Sequence, residues 1–155
     1  KIMKKMNLSR RHLLSMIIML TCGFLLYEGV SSAFGQVNWE SDLNVGMQKA
    51  QQTNRLILIH VYGESCPPCK AMDASVFPDM RVISELNEHF IAIKINSGKS
   101  PEIARGLNVR GIPADIIMHP NGSIVHKREG GISADRFVAY LVKVRAVTPL
   151  ATRNV

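Results

Sequence analysis

Leu56-Ile57-Leu58-Ile59-His60-Val61-Tyr62-Gly63-Glu64-Ser65-Cys66-Pro67-Pro68-Cys69-Lys70 decides the reading of this chain. Its first seven residues are almost continuously apolar, the pattern of a central strand buried on both faces. Gly63 ends the strand. The Cys-Pro-Pro-Cys that follows opens a helix, because prolines are tolerated in a first turn whose backbone N–H groups lack partners anyway. A cysteine at that place meets unpaired N–H groups and the positive end of the helix dipole, both of which favour a thiolate. Cys69, three residues on, can close a disulfide with Cys66 or resolve a mixed one.

Outward from this stretch the chain alternates helix and strand. Ser41 or Asp42 can cap a helix with Leu43, Gly46, Met47 and Ala50 on one face. Pro78 interrupts the helix opened by the cysteines, and Asp79 caps a second piece that places Val82, Ile83 and Leu86 together. Phe90 to Ile95 is the next strand. Ser100-Pro101 starts a short helix with Ile103 and Leu107 inward. A strand from Ala114 to Met118 leads through an Asn121-Gly122 hairpin signal into Ser123 to Arg128. Gly130-Gly131 breaks the chain, and Ser133 caps a last helix carrying Ala134, Phe137, Leu141 and Val144. Helical crossovers imply parallel strands and the hairpin an antiparallel pair. The class is therefore α/β with a mixed sheet.

Composition bounds the rest. The 155 residues are 46% hydrophobic and 20% charged, which excludes disordered and collagen-like chains. Of 19 basic and 12 acidic residues, five basic and one acidic precede residue 36, leaving 14 and 11, a net +3. That modest charge, with no basic-aromatic stripe, argues against nucleic-acid binding. Residues 1–35 run from a basic end (Lys1 to His12) through fifteen uncharged residues (Leu13 to Tyr27) to Ser31, Ser32, Ala33 and Gly35. This is the order of a signal peptide, cleaved after Gly35 or Ala33, or retained as an amino-terminal anchor, in which case it is the protein's contact with a membrane. Ser9-Arg10-Arg11-His12-Leu13-Leu14 resembles a twin-arginine export signal, and Cys22 belongs to the apolar core of the leader. Residues 36–155 then form one domain whose two cysteines, in an oxidising compartment, can pair. A Cys-x-x-Cys can alternatively hold zinc. That needs two further ligands, and His60, His89, His119 and His126 are scattered singly.

Residues 39–147 resemble the thioredoxin fold: a mixed central sheet with helices on both faces. The motifs that carry the resemblance are Ala50 to Lys70, Ile91 to Asn96, Val109-Arg110-Gly111-Ile112-Pro113, and Asn121-Gly122 with its later glycine. The likeness is nearest to exported thioredoxin-like proteins with Cys-x-x-Cys-Lys and a longer helical stretch, here Met72 to Leu86. It implies an exported thiol–disulfide oxidoreductase whose redox centre is the Cys66–Cys69 pair, with no further cofactor. Its partners would be protein thiols and disulfides and an electron donor or acceptor.

The resemblance also implies residue roles. Pro113 matches a cis-proline facing the cysteines, and Ile112 before it offers its backbone to the substrate. Lys94 matches a lysine near a buried acid beneath the active site, although a lysine in an apolar strand can equally be an edge residue. That acid, six residues before the first cysteine, is here His60. The usual proton acceptor of the second cysteine is therefore missing, and a histidine can exchange protons near neutral pH. Lys94 close by should favour neutral His60. Ser65 stands where relatives carry a tryptophan; the single tryptophan, Trp39, reads as a core anchor. Pro68 and Lys70 resemble reducing members of the family. Two other readings remain: a redox-inactive binding or chaperone module, and a thiol carrier in metal or cytochrome assembly.

Overall fold

The computed structural model describes residues 35–150; residues 1–34 of the leader, with the expected cleavage site after Ala33, lie outside them. The elements run β1 (Trp39–Glu40), α1 (Leu43–Thr53), β2 (Leu56–Tyr62), α2 (Pro67–Ser75), α3 (Met80–His89), β3 (Phe90–Asn96), α4 (Pro101–Gly106), β4 (Ala114–Met118), β5 (Ile124–Glu129) and α5 (Ala134–Val147). The five strands form one sheet in the order β1-β3-β2-β4-β5. β1 and β2 flank β3 in parallel, whereas β4 is antiparallel to β2 and to β5. This is the mixed sheet that crossovers followed by a hairpin demand.

The period of two along each strand divides the core. Leu56 and Leu58 of β2 pack with Met72, Leu86, Phe137 and Leu141 from α2, α3 and α5. Ile57, Ile59 and Val61 face the other way, among Ala50 of α1 and Ala104 of α4. Both faces of β2 are thus covered, which is why it reads as a continuous apolar run. The opposite edge, β5, is half-exposed and carries His126, Lys127 and Glu129, a polar border that discourages further strand pairing.

Several local signals act as expected. The Asp42 side chain accepts from Val45 N–H at 2.9 Å, and Asp79 accepts from Arg81 N–H at 2.9 Å. α2 ends at Ser75 and α3 begins at Met80, so Pro78 lies in the break between them. Gly122 takes φ +89°, a left-handed conformation that glycine adopts without steric penalty. Three features differ from the sequence reading. Ser100 and Ser133 occupy N-cap positions but make no side-chain cap hydrogen bond. β5 begins at Ile124, one residue after the expected start, and the register shifts at Ile117/Met118. Finally, β1 is an unforeseen strand: Trp39 and Glu40 pair with Ala92 and Ile93, so Trp39 is a half-buried sheet residue whose ring meets Phe77 edge-on at 5.0 Å.

Candidate active site

Cys66 is the N-cap of α2, with Pro67 and Pro68 as its first two residues. An N-cap side chain normally accepts from the second or third helical N–H. The second is a proline, so the third must serve: Cys69 N–H donates to Cys66 Sγ at 3.2 Å. The prolines thus focus the first turn's cap on a single sulfur. Cys66 and Cys69 are joined as a disulfide, with Cα atoms 5.3 Å apart. Cys66 is 7% exposed and Cys69 1%, so the first sulfur is the more accessible.

Cys66 borders a groove of about 720 Å³ between the loop before α2 and the turn after β3. Gly63, Ile112, Asn96 and Lys99 also line it. Lys99 pairs with Glu64 at 3.0 Å, and Asn96 Nδ2 donates to the same carboxylate at 3.1 Å. Hydrogen bonding and charge from Lys99 hold the Glu64 carboxyl below the usual range, and Glu64 raises the Lys99 amine in return. Both side chains are open to solvent, so the pair shapes the groove more than it stabilises the fold. The Ile112–Pro113 peptide bond is cis. Pro113 is buried, and its carbonyl accepts from Gly130 N–H at 2.7 Å.

Beneath α2 a row of ionisable residues crosses four strands. In register, Lys94 of β3 lies beside His60 of β2, His60 beside Asp115 of β4, and Asp115 beside Arg128 of β5. His60 and Asp115 are fully buried, and His60 Nδ1 lies 2.7 Å from Asp115 Oδ1. Arg128 donates Nη1–H to Asp115 Oδ2 and Nη2–H to the Gly130 carbonyl. The His60 ring meets Phe77 edge-on at 4.7 Å and stacks parallel to Tyr62 at 6.4 Å. Its Nε2 has no hydrogen-bond partner among the described residues. Lys94 Nζ pairs with Asp73 of α2 at 2.5 Å and lies over the rings of Trp39, Tyr62 and Phe77.

A buried acid is present beside His60, at a different position in the sequence. The acid stands on β4, in register with His60. Sequence reasoning missed Asp115, Arg128 and Asp73. The available signal was an aspartate interrupting the apolar run Ala114 to Met118 at an inward position two residues before Ile117. Lys94 is next to His60 in register, but its charge is met by Asp73. Among the described residues, no three His, Cys, Asp or Glu side chains converge to hold a metal.

Comparison with known proteins agrees with this fold. Residues 43–145 match the model of the thioredoxin-like domain family. The thiol:disulfide interchange protein DsbD of Tatumella citrea is 25% identical over 118 residues, covering 73% of this chain and 20% of that protein. The chain thus spans a fifth of that relative's length. A thioredoxin of Buchnera aphidicola subsp. Baizongia pistaciae (strain Bp) is 30% identical over 82 residues, covering 53% of this chain and 72% of the relative. Among solved structures, a DsbH oxidoreductase superposes with a TM-score of 0.64 at 15% identity, covering 76% of this chain and 90% of the other, a likeness of fold. A mixed five-stranded sheet, a cysteine pair capping the helix after its central strand and a family match over well over half of the sequence lead to one assignment: the chain belongs to the thioredoxin-like domain family.

Proposed function

We propose that the protein is an exported thiol–disulfide oxidoreductase that reduces disulfides in protein substrates. The observation that carries this reading is Cys66, the less buried of the two cysteines, its sulfur capped by the Cys69 amide at the head of α2 and the residue bordering an open groove. Cys66 as thiolate attacks a substrate disulfide, forming a mixed disulfide and releasing one substrate sulfur. Cys69 then attacks Cys66 Sγ, the second substrate sulfur leaves, and the Cys66–Cys69 disulfide remains. A thiol-bearing electron donor restores the dithiol. The Ile112 backbone before Pro113 aligns the substrate strand in the groove. His60 takes the proton of Cys69, and Lys94 and Asp73 form the charged wall beside it. Residues 1–35 direct export, as a cleaved signal or as a retained membrane anchor.

Equilibration with glutathione, together with an insulin-reduction assay, tests the direction. A reduction potential near about −270 mV supports a reductase, and one near about −120 mV overturns it in favour of an oxidase. A Cys69→Ser variant should retain clients as mixed disulfides on Cys66. Slow, ordinary alkylation of reduced Cys66 would refute the catalytic assignment itself.

A further inference from the structure

We propose that Asp115, backed by Arg128, is a positioning residue that fixes the proton of His60 on Nδ1 and so leaves Nε2 as the base for Cys69. The inference rests on the oxidoreductase reading above and adds to it the residues that set the histidine's tautomer.

A neutral imidazole has one N–H and one bare nitrogen, and the partner of one decides the role of the other. Arg128 can only donate, so Asp115 Oδ2 is committed as an acceptor. With a guanidinium on one oxygen, the charge-matched form of Asp115 is the carboxylate, whose other oxygen also accepts. His60 Nδ1, 2.7 Å from that oxygen, must then be the donor. Nε2 is left with a lone pair, fully buried and without a partner among the described residues. Buried polar atoms are rarely left so, and an exception calls for a reason.

The groups facing His60 are consistent with this role. From β3 comes Lys94, whose charge is matched by Asp73 of α2. From β4 comes Asp115, from β5 Arg128 behind it, and on β2 itself Tyr62 is stacked on the ring. Tyr140 of α5, which meets His126 and Phe137 rather than His60, is kept protonated, its phenol pushed up first by burial and then by Asp115. Trp39 of β1 and Phe77 contribute rings without charge. Asp73 lies one turn after Cys69 on α2, and residues four apart on a helix share a face. The Lys94–Asp73 contact therefore joins this row to the turn of α2 that follows Cys69. As Cys69 attacks, its proton passes to Nε2, the Cys66–Cys69 bond forms and the Cys66–substrate bond breaks. The electron pair leaves on the substrate sulfur, which takes a proton from solvent.

The test is nitrogen NMR of the reduced, full-length protein labelled at histidine, with stopped-flow resolution of a mixed disulfide between Cys66 and a small aromatic thiol. The wild type should carry the neutral His60 proton on Nδ1, and Asp115→Asn should populate both tautomers. Resolution in Asp115→Asn should slow about 10- to 100-fold at neutral pH. Its rise with pH should move alkaline, towards the ordinary thiol range near about 8.5, while alkylation of Cys66 stays unchanged. A wild-type proton on Nε2, or an unaltered pH profile in a folded Asp115→Asn protein, overturns the proposal. The wild-type tautomer needs no variant, so misfolding cannot shield the idea. Sluggish Cys66 in the wild type would instead defeat the underlying oxidoreductase reading.

Discussion

Replacing Asp115 with alanine should be among the most damaging single changes in the sheet. The carboxylate is fully buried and receives a proton donor on each oxygen, from His60 and from Arg128. Arg128 keeps 15% of its side chain exposed, so most of it is covered and loses its countercharge when its partner is removed. Breaking one side of a buried pair leaves an uncompensated charge and costs about 3–5 kcal/mol. A domain of this kind is stable by about 5–15 kcal/mol in all. With a urea slope of about 2 kcal/mol/M, the midpoint should fall by about 2 M. Arg128→Met removes the facing cation, and the double variant Asp115→Ala/Arg128→Met should be more stable than the two single losses added together. The coupling expected for residues in one network is about 0.5–3 kcal/mol. The measurement is urea unfolding of the oxidised protein, followed by tyrosine and tryptophan fluorescence at fixed pH. A loss below about 1 kcal/mol for Asp115→Ala, typical of a surface substitution, would refute the claim that this row is a desolvated charge network.

Three further expectations concern the scaffold. A Cβ on Gly46 would stand 2.4 and 2.6 Å from Ile93 Cδ1 and Cγ1, and Ile93 is fully buried; Gly46→Ala should therefore lose about 1–3 kcal/mol to overpacking, outweighing its gain of about 1 kcal/mol in helix propensity, and a thermal melt at or above wild type would contradict this. Leu141→Ala, at a fully buried position of α5, should cost about 2–5 kcal/mol by urea unfolding, and a loss under about 1 kcal/mol would show that the helix does not pack as described. Asp79 is held down to about 2, first by the Arg81 side chain and then by the Arg81 amide. A depressed carboxyl stabilises above its unfolded value, near about 3.9, and that stability disappears as pH falls through the folded value. The gap in melting temperature between wild type and Asp79→Ala should be present at neutral pH and close towards pH 2; a gap that persists there would count against the cap.

What the sequence shows and what it hides separate along physical lines. Continuous apolar runs and 3.6-residue spacing are local, so β2, β3 and the helices were legible from residues within one turn or strand. The cysteine cap was legible too, because proline chemistry acts on the adjacent turn. β1 was not: two residues carry no period, and their pairing with Ala92 and Ile93 comes from more than fifty residues away. Asp115 was hidden for a related reason. It reads as one polar residue in an apolar strand until the antiparallel register of β2 and β4 sets it against His60, 55 positions earlier. The serines at 100 and 133 show the converse case, where a favourable residue type sits at the right place without forming its bond.

The arrangement of charges beneath α2 bears on why an imidazole can stand where the thioredoxin resemblance implies an acid. Every full charge in the row is closed off by a neighbour: Lys94 by Asp73, and Asp115 by Arg128. Under the role proposed above, His60 is the group that exchanges a proton without stranding a partner. A lone buried carboxylate would have to lose or gain its countercharge each time it exchanged a proton, which is costly in a low-dielectric interior. An imidazole anchored at Nδ1 keeps its hydrogen bond in both protonation states, since Nδ1 remains a donor throughout. Only Nε2 changes. On that reasoning the pairs flanking His60 matter as much as the histidine. Removing Asp73 should free the Lys94 ammonium to act on His60 through their shared register position and shift the pH profile of mixed-disulfide resolution. Removing Glu64, which pairs with Lys99 outside the row, should leave that profile in place; an unshifted profile in Asp73→Ala would refute the argument.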